Sequence, residues 1–275
     1  MKIRGADEQF CLNIVKNSIN PAEDIDILCS NFSNHLIGIT KNDAKILKEY
    51  IINASENPNL NDFPDFIFNK GFIEHFKVTS SLEKKGKGAQ HIKDTSKFNK
   101  EIEQKEKDLK TKLENNEPTS GFSCEKEYCK HSYDYFIKSF KKNFENHLDS
   151  LSKYDGYTDV GIFMIEYMDL ALKMRENKYK VLENLNEIPL ISPIQKQMEC
   201  LSDYYLSRDK NLLNYIYQYK DKLKYVIFVN SQTFEIIQIN QIPLILELLP
   251  YDYSISVPGI INMYHTCSVI SIPKN

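Results

Sequence analysis

Residues 63–78 read FPDFIFNKGFIEHFKV, two apolar and strongly aromatic segments on either side of Asn69-Lys70-Gly71. The first segment is too short for a helix, and Pro64 is tolerated near the first residue of a strand. Asn and Gly readily adopt the positive φ values that tight turns require. The pattern therefore predicts a β-hairpin with strands over 63–68 and 72–78.

Helices are predicted on both sides of this hairpin. Thr40 and Asp43 have the spacing of a capping box, so a helix should begin directly after Thr40. A second helix is expected over about 133–151, because apolar residues recur there every four positions: Phe136, Phe140, Phe144 and Leu148. The apolar run 160–165 follows and is typical of a strand buried on both faces. We expect this strand at the centre of the sheet.

The rest of the chain predicts further helices and a second hairpin. Residues 80–120 are rich in charge and predict a basic loop that leads into a solvated helix near 97–113. Additional helices are expected near 169–183 and 193–219. A second hairpin is predicted for Tyr225–Val229 with Phe234–Ile239, and edge strands beyond Pro243.

Together these elements predict an α/β (α+β) fold with a mixed central β-sheet flanked by helices. We expect an N-terminal segment over 1–39 and a core over 40–168, which includes the charged insertion 80–120. Residues 169–275 should form a helical and β-hairpin part packed on the same core.

Composition excludes several classes of protein. The chain has 275 residues, of which 41% are hydrophobic and 27% are charged, as in ordinary globular domains. Its net charge of −3 does not suit a uniformly basic nucleic-acid coat. No apolar run approaches the roughly 20 residues of a membrane-spanning helix, so we expect a cytoplasmic protein without a membrane partner. The six cysteines are unevenly spaced, which favours reduced thiols.

Two acidic residues lie within the apolar hairpin, Asp65 and Glu74. Leaving such carboxylates buried and unpaired is costly, and a hard cation such as Mg²⁺ would offset that cost. With a two-residue turn, Asp65 faces Glu74 and both acids share one face of the hairpin. With a three-residue turn, Asp65 instead shares its face with His75 and Lys77. The register therefore decides which side chains meet.

The segment from Thr40 to Ile165 resembles the PD-(D/E)xK nuclease superfamily, in which a helix, a hairpin or meander, a helix and a further strand form the core. The matching residues are Pro64-Asp65 in the first strand and Glu74 in the next. The resemblance implies a restriction-endonuclease-like core and Mg²⁺- or Mn²⁺-dependent cleavage of DNA. It also implies that Asp65, Glu74 and the main-chain carbonyl of His75 bind the metal.

The lysine of the family belongs two residues after the second acid, where this chain has Phe76. Lys77, Lys84 and Lys87 are therefore the candidates for the catalytic lysine. The loop over 84–88 also suits attraction to a phosphate backbone. A symmetric duplex target would make a homodimer natural.

Two alternatives remain open at this stage. The first is a non-catalytic interaction or nucleic-acid-binding protein with a degenerate nuclease-like core, in which Phe76 marks the loss of chemistry. The second is a zinc-supported module at Cys124, Cys129 and His131, for which only His147 is at hand as a fourth ligand.

Overall fold

The fold was analysed in a computed structural model. It describes residues 6–19, 34–37, 39–59, 62–81, 90–115, 117, 121–127, 131–167, 169, 171–180, 195–230, 233–249, 253–257 and 262–268. The helices described are α1 (Ala6–Ser18), α2 (Lys41–Asn53), α3 (Gln90–Glu114), α4 (Tyr133–Leu151), α5 (Lys210–Tyr217) and α6 (Ile242–Leu248). The strands are β1 (Asn34–Ile37), β2 (Ser55–Glu56), β3 (Phe66–Phe68), β4 (Gly71–Val78), β5 (Gly121–Glu127), β6 (Val160–Tyr167), β7 (Lys173–Lys180), β8 (Gln195–Asp203), β9 (Tyr225–Asn230), β10 (Thr233–Gln238), β11 (Tyr253–Ser256) and β12 (Asn262–Ser268).

The centre of the protein is a mixed seven-stranded sheet with the order β1-β10-β9-β6-β4-β3-β2. The three middle strands, β4, β6 and β9, run parallel to one another. Antiparallel pairs adjoin them on both sides, β3 with β4 and β10 with β9. All eight residues of β6 are buried, as expected for a strand that is covered on both faces.

Side chains of the central strands alternate between two apolar layers. On one side, here called the α4 face, Phe72 and Phe76 of β4 pack with Phe144 of α4. On the other side, the α1–α2 face, Ile73 packs with residues of α1 and α2 such as Leu12. Helices therefore cover both faces of the sheet.

The structure confirms the mixed sheet flanked by helices and several of the predicted elements. Helix α2 begins after Thr40, whose side chain accepts a hydrogen bond from the Asp43 amide. The first hairpin forms as β3 and β4, and the second forms as β9 and β10. Helix α4 has the predicted bounds, and α3 covers the predicted solvated helix, with an ion pair of 3.0 Å between Lys105 and Glu101. Strand β6 lies within the sheet as predicted.

Part of the prediction for the C-terminal half was wrong. The helix expected near 169–183 is strand β7, and the first part of the helix expected over 193–219 is strand β8. Their lysine, glutamate and methionine residues have good helix propensity, but pairing with neighbouring strands outweighs it. Helix α6 occupies part of the predicted edge-strand region, although β11 does form an edge of the sheet β11-β7-β8. Strand β5, which pairs with β12, was not predicted.

Strand β10 contributes one buried acid, Glu235, to the α4 face. Glu235 is only 3% exposed and accepts hydrogen bonds from the main-chain amide of Ser207, at 3.3 Å, and from the Ser207 hydroxyl. Burial raises the pKa of Glu235 to about 7. The fold therefore favours the neutral form of this carboxyl group.

Candidate functional site

The β3–β4 hairpin brings the two predicted acids together. Its turn has two residues, because Phe68 pairs with Gly71, and this register places Asp65 opposite Glu74. The Asp65 amide donates to Oε2 of Glu74 at 3.0 Å. The amide of His75 donates to Oδ2 of Asp65 at 2.8 Å. Of the two registers considered from the sequence, the structure has the one that pairs the acids.

Loop contacts hold Asp65 at the end of its strand. The main-chain amide of Asn57 donates to the carbonyl of Asp65 at 2.9 Å. The side-chain amide of Asn57 donates to the carbonyl of Pro64 at 2.8 Å. The Asp65 carboxylate in turn accepts the hydrogen bond of the His75 amide. Hydrogen bonds to Asn57 and to His75 therefore fix Asp65 on two sides.

The two carboxyl groups share a poorly solvated position. Glu74 is 6% exposed and Asp65 is half-buried. Burial and the charge of Glu74 raise the pKa of Asp65 to about 6, because two adjacent carboxylates repel each other. A cation bound beside Asp65 would favour the ionised form of its carboxyl group.

His147 of α4 is the third member of this group. Its Nδ1 lies 2.5 Å from Oε1 of Glu74, and its ring stacks on Phe76 with the centroids 4.7 Å apart. The side chain of His147 is 26% exposed, so solvent reaches this end of the group. From the sequence, His147 was a candidate only for the fourth ligand of zinc. The sequence feature that could have placed His147 near the acids is its position three residues after Phe144, on the helix face that packs against the sheet. Asp65, Glu74 and His147 are here called the paired-acid site.

The structure separates the other predicted residues from this site or does not describe them. Lys77 extends to the α1–α2 face, where its Nζ lies 2.6 Å from Asp7 and 3.4 Å from Glu166. Phe76, at the position of the family lysine, is 5% exposed and packs in the core. Lys84 and Lys87 lie outside the described residues.

His75 makes one contact through its main chain and another through its side chain. Its main-chain amide contacts Asp65, whereas its side chain lies on the α1–α2 face, where Nε2 donates to Oε2 of Glu166 at 2.9 Å. Cys11 of α1 completes a second group there: one ligand atom each of Cys11, His75 and Glu166 lie within 4.8 Å of one another. We call this the Cys-His-Glu cluster.

The charges within the Cys-His-Glu cluster influence one another strongly. Burial and the neighbouring Glu166 carboxylate raise the pKa of the Cys11 thiol well above its ordinary value. Burial opposes ionisation of Glu166 too, but the hydrogen bond from His75 and the charge of Lys77 outweigh it and lower the pKa of Glu166. From the sequence, Cys11 was expected only to be a reduced thiol, and no local signal connects it to His75.

The residues of the zinc alternative do not form a cluster in the part of the chain that is described. Cys124 is buried in β5, where it pairs with His265 of β12. His131 instead lies 2.9 Å, through Nδ1, from the hydroxyl of Ser80. Cys129 lies outside the described residues. Among the residues described, only the Cys-His-Glu cluster brings three His, Cys, Asp or Glu side chains so close that their ligand atoms all lie within 4.8 Å of one another.

Fold and site together define a mixed α/β protein with a paired-carboxylate site at the end of a hairpin. Comparisons with protein-family models, with curated proteins and with solved structures each returned no match. None of the described helices has both the length and the apolar character needed to cross a bilayer.

Proposed function

We propose that the paired-acid site binds Mg²⁺ or Mn²⁺ and hydrolyses phosphodiester bonds in DNA. The observation that carries this proposal is the register that places Asp65 opposite Glu74, with the Asp65 amide bound to the Glu74 carboxylate and the partly exposed His147 beside it. Carboxylate oxygens are the protein ligands that Mg²⁺ prefers. When bound, such an ion polarises a phosphoryl oxygen and lowers the pKa of a coordinated water.

The order of elements also supports the proposal. From α2 to β6, apart from α3 and β5 between β4 and α4, the chain forms a helix, three strands, a helix and a further strand. The four strands are neighbours in the sheet, in the order β6-β4-β3-β2. The resemblance to PD-(D/E)xK nucleases implies elements in this order, and the order therefore favours the proposal.

The backbone of His75 favours the same position for a metal ligand. Its amide points toward Asp65, and the N–H and C=O of one strand residue point to the same edge of the strand. The His75 carbonyl is therefore directed to the side on which the Asp65 carboxylate lies. This suits the ligand set of two carboxylates and one carbonyl.

In this proposal His147 takes part where the family has lysine. Because its ring stacks on Phe76, His147 brings a titratable group to that residue position. Its hydrogen bond to Oε1 orients Glu74, and an imidazole can accept a proton from an attacking water at neutral pH. Lys77 has no role at this site, because it is bound to Asp7 and Glu166 on the opposite face.

A second candidate function is non-catalytic binding of nucleic acid by a degenerate nuclease-like core. The observation that favours it is the buried Phe76, which supplies no charge to a phosphate. Supercoiled plasmid DNA and Mg²⁺ or Mn²⁺ distinguish the two functions. DNA that is bound by the chain but not cleaved with either metal would refute the nuclease and favour the binding protein.

The test of the nuclease compares Asp65→Asn and Glu74→Gln with the wild-type chain and with Glu103→Gln, which changes an exposed acid of α3. Both site variants should reduce nicking at least about 100-fold, the loss typical of removing one group that stabilises the transition state. They should also weaken Mn²⁺ binding in titration calorimetry, and Glu103→Gln should change neither measurement. Full activity of either site variant would overturn the assignment.

A further inference from the structure

We propose that Cys11, His75 and Glu166 form a zinc-binding site on the α1–α2 face, distinct from the paired-acid site. The three residues come from α1, β4 and β6, elements that are far apart in sequence and are fixed by the core. Cys11 is fully buried, and His75 and Glu166 are 6% and 4% exposed. Their ligand atoms lie within 4.8 Å of one another.

The chemistry of the three ligands indicates the metal. Sulfur, imidazole nitrogen and carboxylate oxygen are the three donors that Zn²⁺ accepts in proteins, whereas Mg²⁺ selects oxygen. Bonds of about 2.0 to 2.3 Å in a tetrahedral site place the donor atoms roughly 3.5 Å apart. The distance between Nε2 of His75 and Oε2 of Glu166 is 2.9 Å, which is shorter than this spacing. The 4.8 Å limit within which all three ligand atoms lie is longer than it. Small rotations of the side chains would suffice to enclose the ion.

A cation already contacts the cluster from its outer side. The ammonium group of Lys77 lies 3.4 Å from Oε2 of Glu166 and 2.6 Å from Oδ2 of Asp7. The side chains of Lys77 and Asp7 are 43% and 35% exposed, so this side gives an ion access to the buried ligands. Binding of Zn²⁺ would replace the ammonium group at Glu166, and the Cys11 thiol would release its proton to solvent.

Asp7 is the candidate for the fourth ligand. It lies four residues before Cys11 on α1 and therefore on the same face of that helix. Once Lys77 has moved away, the Asp7 carboxylate or a water molecule can complete a tetrahedral site. A metal-free hydrogen-bond network is the competing explanation, since His75 and Lys77 already contact Glu166.

The experiment uses the full chain, treated with chelator, dialysed and then titrated with Zn²⁺ or Co²⁺. Zn²⁺ should bind at one equivalent and raise the thermal unfolding temperature, because a ligand that binds the folded state stabilises it. Co²⁺ should give a thiolate-to-metal charge-transfer band. Cys11→Ser should abolish that band and weaken Zn²⁺ binding at least about 100-fold, since even outer-shell changes cost 10- to 100-fold.

Controls separate this site from other thiols and from the paired acids. Cys267→Ser, which changes a partly exposed free cysteine, should keep the band, and so should Asp65→Asn. Glu166→Gln should weaken Zn²⁺ binding without removing a thiol. Zinc X-ray absorption of the wild-type chain needs no variant to fold and should show one sulfur with nitrogen and oxygen ligands.

Three results would overturn the proposal. The first is that the wild-type chain neither retains Zn²⁺ nor gains stability from it. The second is a zinc coordination shell that contains no sulfur ligand or more than one sulfur ligand. The third is a cobalt charge-transfer band that survives in Cys11→Ser. None of them bears on DNA cleavage, because Asp65 and Glu74 do not belong to this cluster and His75 contributes only main-chain atoms to the paired-acid site.

Discussion

Glu235 provides a test of the fold through the pH dependence of stability. Its pKa is about 7 in the folded protein against an ordinary value of 4.5, a consequence of burial. A carboxyl group whose pKa is higher in the folded than in the unfolded protein stabilises the folded state fully at a pH below its ordinary pKa. This contribution to the free energy of unfolding is lost as the pH rises toward the pKa of the folded state. The folded protein should therefore become less stable, through this group, between about pH 4.5 and pH 7.

The magnitude follows from the size of the shift. The difference between 4.5 and about 7, at about 1.4 kcal/mol for each pKa unit, gives about 3 to 4 kcal/mol at most. Glu235→Gln keeps the shape of the side chain and cannot ionise. We expect the variant and the wild-type chain to have similar stability near pH 5. By about pH 8 the variant should be more stable by about 2 to 3 kcal/mol.

Urea unfolding at a series of pH values measures this difference, with the exposed Glu49→Gln as the matched control. Subtracting the wild-type curve removes the other titrating groups, which the variants share. A difference between Glu235→Gln and wild type that stays constant from about pH 5 to pH 8 would refute the reasoning. So would the same rise in Glu49→Gln.

Three further predictions concern the packing that positions the sites. Gly71→Ala should destabilise the protein by about 1 to 3 kcal/mol or prevent folding, because a Cβ there would lie 1.9 Å from the carbonyl oxygen of Val160; chemical denaturation measures this. Phe144→Ala should cost about 3 to 5 kcal/mol in the same assay, whereas Tyr157→Ala, at a side chain that is 68% exposed, should cost little, and equal losses would contradict the core described above. Thr40→Ala should cost about 1 kcal/mol through loss of the cap of α2, and Thr40→Ser should retain most of that energy.

Local signals in the sequence were sufficient for the elements around the paired-acid site. The cap at Thr40, the Asn69-Lys70 turn and the period of four in α4 each involve residues only a few positions apart. The physical forces that form these elements act over the same short distances. The sequence left open whether this turn has two or three residues, and the two-residue turn of the structure is what places Asp65 opposite Glu74.

Local sequence signals could not predict the contacts between distant parts of the chain. His147 meets Glu74 across 73 positions, and the contact depends on how α4 crosses β4. The association of Cys11 with Glu166 depends likewise on where α1 packs. Strands β7 and β8 were mistaken for helices because their pairing, not their composition, determines their conformation.

The short strand β2 has a consequence for the behaviour of the protein in concentrated solution. It closes one end of the central sheet with only Ser55 and Glu56, both exposed. An edge of this length offers few unpaired amides and carbonyls to another molecule, and the charge of Glu56 discourages the approach of a further strand. This side of the sheet is thus protected against aggregation by strand addition.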